Sequence, residues 1–207
     1  MEKLKKSIFI VALSLTLVVG LISFTEAAQA VAYEHFPDVP LDAPYAEAVD
    51  TLAEMGIVRG DENGNFNPDN TITRAEFATM MCRLLGVEDE ALAITKSSFS
   101  DVPSNHWACG YVTKIAELGL VNGYGDGRFG PSDTLTYEQA VKVLICSFAY
   151  AEIDFEAMAQ NLGGWPNGYI RVADEIGLSS NINANVESYV SRGNVATLCF
   201  NYLYNSF

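Results

Sequence analysis

Gly64-Asn65-Phe66-Asn67-Pro68, followed by Thr71-Ile72-Thr73-Arg74-Ala75-Glu76-Phe77, is the stretch on which the fold turns. Sixty-three residues later the same landmarks return as Gly127-Arg128-Phe129-Gly130-Pro131 and Thr134-Leu135-Thr136. At the same offset Phe36-Pro37-Asp38-Val39 becomes Phe99-Ser100-Asp101-Val102, and Gly56 becomes Gly119. Independent landmarks sharing one offset mean an internal duplication, and a duplication sets the architecture before any single element does. A worn third copy follows. Trp165, Tyr169 and Gly177 lie 58 residues after Trp107, Tyr111 and Gly119, and Val190-Ser191-Arg192-Gly193-Asn194-Val195 lies 118 after Ile72 to Phe77. Its middle loop is shorter and has no Gly-x-Phe-x-Pro element.

Each copy reads helix, loop, helix. Ala46, Val49, Leu52 and Ala53 share one face at helical spacing, as do Ala108, Val112, Ile115 and Ala116. Gly56 and Gly119 are stop signals of the kind that take positive φ after a helix. The second helices begin at Thr73-x-x-Glu76 and Thr136-x-x-Gln139, both capping boxes, with Ser191 and Asn194 a weaker version. Their apolar faces are Phe77, Met81, Leu84, Leu85; Ala140, Leu144, Ile145, Phe148; and Val195, Cys199, Tyr202, Leu203. One helical hairpin cannot bury such a face alone, but three can do so against each other. The expected class is all-α, with repeats over 31–92, 93–150 and 151–207. The spacing of Ile153, Ala157 and Gln160 predicts one further short helix between the second and third copies.

Residues 1–30 read as an export signal: Lys3, Lys5 and Lys6, an apolar run from Ile8 to Phe24, then Ala28-Gln29-Ala30 as the cleavage site. An uncleaved anchor is the alternative, and both place the remainder outside the cytoplasm. Twelve basic residues against 26 acidic give a net charge of −14, which excludes general nucleic-acid binding. Any anionic partner must therefore be held in a local pocket. Cys82, Cys146 and Cys199 fall within apolar helical patterns and read as buried free thiols; Cys109 completes the set. No zinc spacing is present. Asp61-x-Asn63-x-Asn65 hints at a calcium loop, but Phe66 stands where that motif needs Gly, so no metal is expected. With only His35 and His106 there is no plausible triad, so no enzyme and no cofactor are expected.

Taken together, Phe-x-Asp-Val, His106-Trp107-Ala108, Gly123-Tyr124-Gly125-Asp126-Gly127-Arg128-Phe129-x-Pro131 and Ile72-Thr73-Arg74-Ala75-Glu76-Phe77 resemble the S-layer homology repeat. Nearly all of the chain after the signal is covered, with the third copy divergent. The resemblance implies a pseudo-threefold, three-pronged spindle of helices. It also implies grooves that bind a secondary cell-wall polysaccharide, often carrying ketal-linked pyruvate, at the surface of a Gram-positive-type bacterium. The arginine of the Thr-Arg-Ala-Glu element is a ligand contact in that family, which points to Arg74 and Arg192 but not to the second copy, where Tyr137 stands.

The residues argue the same way. A cation in the first turn of a helix opposes the macrodipole and costs about 0.3–1 kcal/mol, so Arg74 reads as a ligand contact, the alternative being a solvated surface arginine paired with a nearby acid. A guanidinium suits bidentate capture of a carboxylate, and free amides at the helix start are expected to assist. Trp107 and Trp165 can stack on a sugar or fill the core. Asp38 and Asp101 can accept sugar hydroxyls or brace local backbone. Gly60, Gly123 and Gly125 can present backbone amides or simply make tight turns. Glu76 reads as a capping residue. The functional expectation is non-covalent anchoring to an acidic wall polysaccharide. The alternative is the same fold kept as a structural module that docks other cell-surface proteins.

Overall fold

The computed structural model describes residues 35–204. The export signal proposed for residues 1–30 lies outside them. The described chain is helical, with α1 at Ala46–Glu54, α2 at Arg74–Leu84, α3 at Glu88–Leu92, α4 at Cys109–Glu117, α5 at Tyr137–Ser147, α6 at Phe155–Asn161, α7 at Asn167–Glu175 and α8 at Arg192–Tyr204. A 3₁₀ turn, Phe148–Ala151, extends α5. Among the described residues, no helix is long and apolar enough to cross a membrane.

Local signals set the helix ends. Thr73 Oγ1 accepts from the Glu76 amide at 3.2 Å, and Glu76 Oε2 accepts from the Thr73 amide at 2.7 Å, closing the capping box. The Thr136 amide bonds Gln139 Oε1 at 3.3 Å, and Ser191 Oγ accepts from the Asn194 amide at 3.2 Å. Gly56, Gly119 and Gly177 follow α1, α4 and α7 with φ of 72°, 73° and 73°. A Cβ is disfavoured at that φ, so glycine ends each helix at low cost.

The helices of one repeat do not pack chiefly on each other. α2 packs on α4, α5 on α7, and α8 returns to α1, so each second helix is covered by the first helix of the next segment. The short segments before α2, α5 and α8 tie the cycle together. Thr73 bridges to Thr134, Thr136 to Tyr189, and Ser191 to Thr71. Between these bridges Ile72, Leu135 and Val190 are buried at the centre. The expected apolar faces of α2 and α5 are buried throughout, whereas Ala53, Ala116 and Leu203 are only partly covered.

One element escaped the sequence reading. The helix expected between the second and third copies is α6, but its counterpart α3 was not expected, because a five-residue acidic helix carries too little periodicity. Both serve the same purpose. A Cβ on Gly110 would lie 2.0 Å from the Ala91 carbonyl oxygen, and one on Gly168 would lie 2.0 Å from that of Ala159. The first turns of α4 and α7 thus rest on the backbone of α3 and α6. Helix propensity favours Ala over Gly by up to about 1 kcal/mol. Here the clash outweighs it, so Gly110→Ala and Gly168→Ala are each expected to destabilise the fold by about 1–3 kcal/mol, read as a lowered chemical-denaturation midpoint.

All four cysteines are free thiols. Cys82, Cys109 and Cys199 are buried and Cys146 is half-buried. Burial pushes the thiols of Cys82 and Cys199 up to about 12 and that of Cys146 up to about 11. Because the thiolate is the reactive form, a thiol reagent at pH 8 should leave Cys82 and Cys199 unmodified in the native protein and label them in denaturant, as peptide mapping would show.

Candidate functional site

The cyclic packing brings the leading edge of each second helix against the middle loop of another segment, Gly-rich in the first two copies. Arg192, the first residue of α8, reaches the loop of the first copy. Its Nε donates to the Phe66 carbonyl at 2.8 Å, its guanidinium lies 4.9 Å from the Phe66 ring centroid, and its Nη1 is 4.0 Å from Glu76 Oε1. Nη2 makes a longer bond to the Arg59 carbonyl at 3.4 Å. Burial lowers the affinity of this guanidinium for its proton, while Glu76, Asp38 and Asp61 act in the opposite sense. Arginine remains charged regardless.

Around it is a groove of about 280 Å³ lined by Arg59, Gly60, Asp61, Asn67, Asn70, Thr71, Glu76 and Arg192. Two smaller hollows adjoin it. One of about 170 Å³ reaches over Met80 and Arg83 to Trp107, and one of about 210 Å³ runs from Thr73 past His106 and Trp107 to Pro131. Glu76 lines all three. One carboxylate therefore does two things: Oε2 closes the cap of α2, and Oε1 faces Arg192 in the groove. The capping motif identified the first task but not the second. Trp107 is 60% exposed and stacks on His106, with ring centroids 5.7 Å apart and planes at 27°. His106 Nδ1 accepts from the Ala108 amide and fixes the turn into α4.

Arg74 holds the matching place against the second copy. Its Nε donates to the Phe129 carbonyl at 2.9 Å, and its guanidinium lies 4.6 Å from the Phe129 ring and 5.0 Å from that of Tyr124. Among the described residues, no carboxylate comes within ion-pairing distance of it. At the third junction Tyr137 takes the arginine position and is buried, with its phenol pushed up to about 12 by that burial.

The amides expected to be free at the helix starts are occupied. Arg74 N donates to Asp133 O at 2.9 Å, Ala75 N to Pro131 O at 3.1 Å, Tyr137 N to Ser188 O at 2.9 Å, Arg192 N to Asn70 O at 2.8 Å and Gly193 N to Pro68 O at 2.9 Å. The helix starts grip neighbouring loops rather than an anion. Residue spacing within one copy gave no sign of this, because every acceptor comes from another copy.

The remaining expected site residues divide clearly. Asp38 uses both carboxylate oxygens on the Phe66 and Asn67 amides at 2.8 and 2.6 Å. Asp101 does the same for Phe129 and Gly130 at 2.8 and 2.8 Å. A sugar hydroxyl would have to share those oxygens. Neither aspartate caps a first helix. Gly60 and Gly123 pass close under Phe36 and Phe99, where a Cβ would come within 2.8 and 2.7 Å of a ring carbon; Gly60 also lines the groove. Gly125 sits at an exposed loop tip with φ 83°. Trp165 is 47% exposed, and Lys142 Nζ lies 5.4 Å from its ring and 5.4 Å from that of Tyr169. It stands apart from the Arg192 groove. Arg59, Asn67, Asn70 and Thr71 were not anticipated. Differences between copies mark three of them: Arg59, Asn67 and Asn70 stand where the second copy has Asn122, Gly130 and Asp133.

The S-layer homology domain model matches residues 35–78 and 98–141, each segment running from the Phe-x-Asp-Val region into the second helix. The chain is an S-layer homology domain protein. It is 36% identical over 165 residues to a "Cell surface protein" of Thermoanaerobacter kivui, covering 79% of this chain and 20% of that one. It is 35% identical over 164 residues to a "Surface layer protein" of Brevibacillus choshinensis, covering 78% and 14%. It is 32% identical over 204 residues to a "Middle cell wall protein" of Brevibacillus brevis, covering 98% and 18%. The S-layer homology chain thus spans a fifth or less of the length of these relatives.

The loops that wall the grooves depend on their aspartate braces. Burial pushes the Asp101 carboxyl up, but the Phe129 and Gly130 amides outweigh it and hold the group below the usual range. The charged form is thus favoured by folding, and that stability is present above the unfolded value near 3.9 and lost as pH falls through the lower folded value. Asp101→Asn is expected to cost about 1.5–3 kcal/mol at neutral pH. In denaturation curves the gap to the parent should narrow as pH falls below the unfolded value of about 3.9.

Proposed function

We propose that this protein is a non-enzymatic surface module that anchors to the cell wall by holding an acidic accessory polysaccharide in the Arg192 groove, and that residues 151–207 are its third, divergent repeat. The observation that carries the reading is the open groove in which Arg192 is pre-oriented. With Nε fixed on the Phe66 carbonyl and one face on the Phe66 ring, the guanidinium fork loses little freedom when it meets a carboxylate. Arg59 adds a second cation at the mouth. Asn67, Asn70 and Thr71 supply neutral partners suited to sugar hydroxyls, and Trp107 offers a ring face beyond Glu76.

This arrangement answers the charge problem. A chain with net charge −14 repels polyanions over long range, so a polyanion must be caught at short range, where the Arg59 and Arg192 guanidinia can donate directly although Asp61 and Glu76 share the lining. Ketal-linked pyruvate on a sugar is the acid group this groove is proposed to take. The names of the relatives, a cell surface protein, a surface layer protein and a middle cell wall protein, support a cell-surface location.

A second reading keeps the fold but drops the glycan, leaving a module that docks other surface proteins. The buried Tyr137 at the third arginine position favours it. Sedimentation of the chain with purified wall sacculi separates the two. Retention should be lost when the accessory polysaccharide is chemically stripped, and should fall at least tenfold for Arg192→Ala. Undiminished retention on bare peptidoglycan would sink the glycan reading.

A further inference from the structure

The polysaccharide reading leaves open how many junctions take ligand. We propose that the two arginine-bearing grooves are not equivalent: the Arg192 groove is the working site, and Tyr124 closes the Arg74 groove, so the chain binds one glycan segment. This rests on the glycan reading above.

Three substitutions between the copies build the closure. Tyr124, Gly130 and Asp133 stand where the first copy has Asp61, Asn67 and Asn70, at the common offset of 63. The Tyr124 ring lies 5.0 Å from the Arg74 guanidinium carbon, and its hydroxyl donates to Asp133 Oδ2 at 2.7 Å. Glycine at 130 makes room for this. A Cβ there would lie 2.7 Å from the Tyr124 ring and 2.3 Å from Asp133 Oδ2. The phenol is therefore seated on bare backbone, anchored at its tip, with its ring against the arginine.

The Arg192 groove has no such cover. Asp61, in the Tyr124 position, turns back into its own loop and accepts from the Asn63 and Asn65 amides and the Asn67 side chain. Asn70 replaces the acid that anchors the phenol. A carboxylate approaching Arg74 would have to displace an aromatic ring from a cation, break the Tyr124–Asp133 bond, and meet the charge of Asp133 at the mouth. The same carboxylate approaching Arg192 meets Arg59 in place of Asn122, and the two carboxylates lining that groove are already engaged, Asp61 by its own loop and Glu76 by the cap of α2 and by Arg192 itself at 4.0 Å. The third junction, with Tyr137 buried, has no guanidinium to offer.

Isothermal titration with acidic oligosaccharides released from the wall tests this, with peptidoglycan fragments as the control. The wild type should bind at one site per chain. Arg192→Ala should weaken binding at least tenfold and Arg74→Ala by less than twofold. Tyr124→Ala, which removes a half-exposed side chain, and the double change Tyr124→Asp with Gly130→Asn should each add a second site that Arg74→Ala abolishes; circular dichroism verifies their fold. Two sites in the wild type, or equal losses from Arg74→Ala and Arg192→Ala, would overturn the closure while leaving glycan binding intact. No second site in a folded Tyr124→Ala would overturn it as well. Absence of binding by every form would instead defeat the glycan reading, and this inference with it.

Discussion

The structure depends on how the second helices begin. At each junction the first backbone amide of α2, α5 or α8 donates to a carbonyl of another segment: Arg74 to Asp133, Tyr137 to Ser188, Arg192 to Asn70. A helix start has amides without intrahelical partners, and burying them unsatisfied is costly. Here the three starts satisfy one another's loops in a ring, with Ile72, Leu135 and Val190 buried at its centre. Each bond contributes about 0.5–1.5 kcal/mol net. Their larger effect is geometric, because removing any one segment orphans donors in the next. A single repeat has no stable place to put its helix start.

The same ring makes the candidate site. A residue at the start of a second helix must lie beside the loop of a different segment, and an arginine there lies along that loop's phenylalanine. Arg192 on Phe66 and Arg74 on Phe129 show this geometry twice, each with Nε held by the carbonyl of the phenylalanine it covers. An arginine at the positive end of a helix is a poor choice for stability. Both the ring contact and the carbonyl offset that cost. The loops are held in turn by Asp38 and Asp101, so the aspartates that looked like ligands prove to be the braces of the walls.

The three junctions are unequal. One has a second arginine and an open groove, one has a tyrosine over its arginine, and one has a buried tyrosine instead. A change from Asp61 to Tyr124 leaves the backbone of the loop intact, since both loops are closed by their own hydrogen bonds and by an aspartate brace. Function can therefore drift from one junction to another while the ring persists.

Much of this was legible in the chain itself. The 63-residue offset, the capping boxes at Thr73 and Thr136, the stop glycines and the apolar faces of α2 and α5 are local features, and local features survive in a linear string. They were enough for the all-α class, for the two repeats that the family model matches, and for placing Arg74 and Arg192 at helix starts. The tertiary structure alone decided which segment each helix packs on, that the helix-start amides are spent on neighbouring loops, that Glu76 faces Arg192, and that Arg59 rather than Asn122 joins an arginine in an open groove. The reason is physical: those facts are contacts between residues up to 133 positions apart. No periodicity or spacing within one repeat records which neighbour closes the ring.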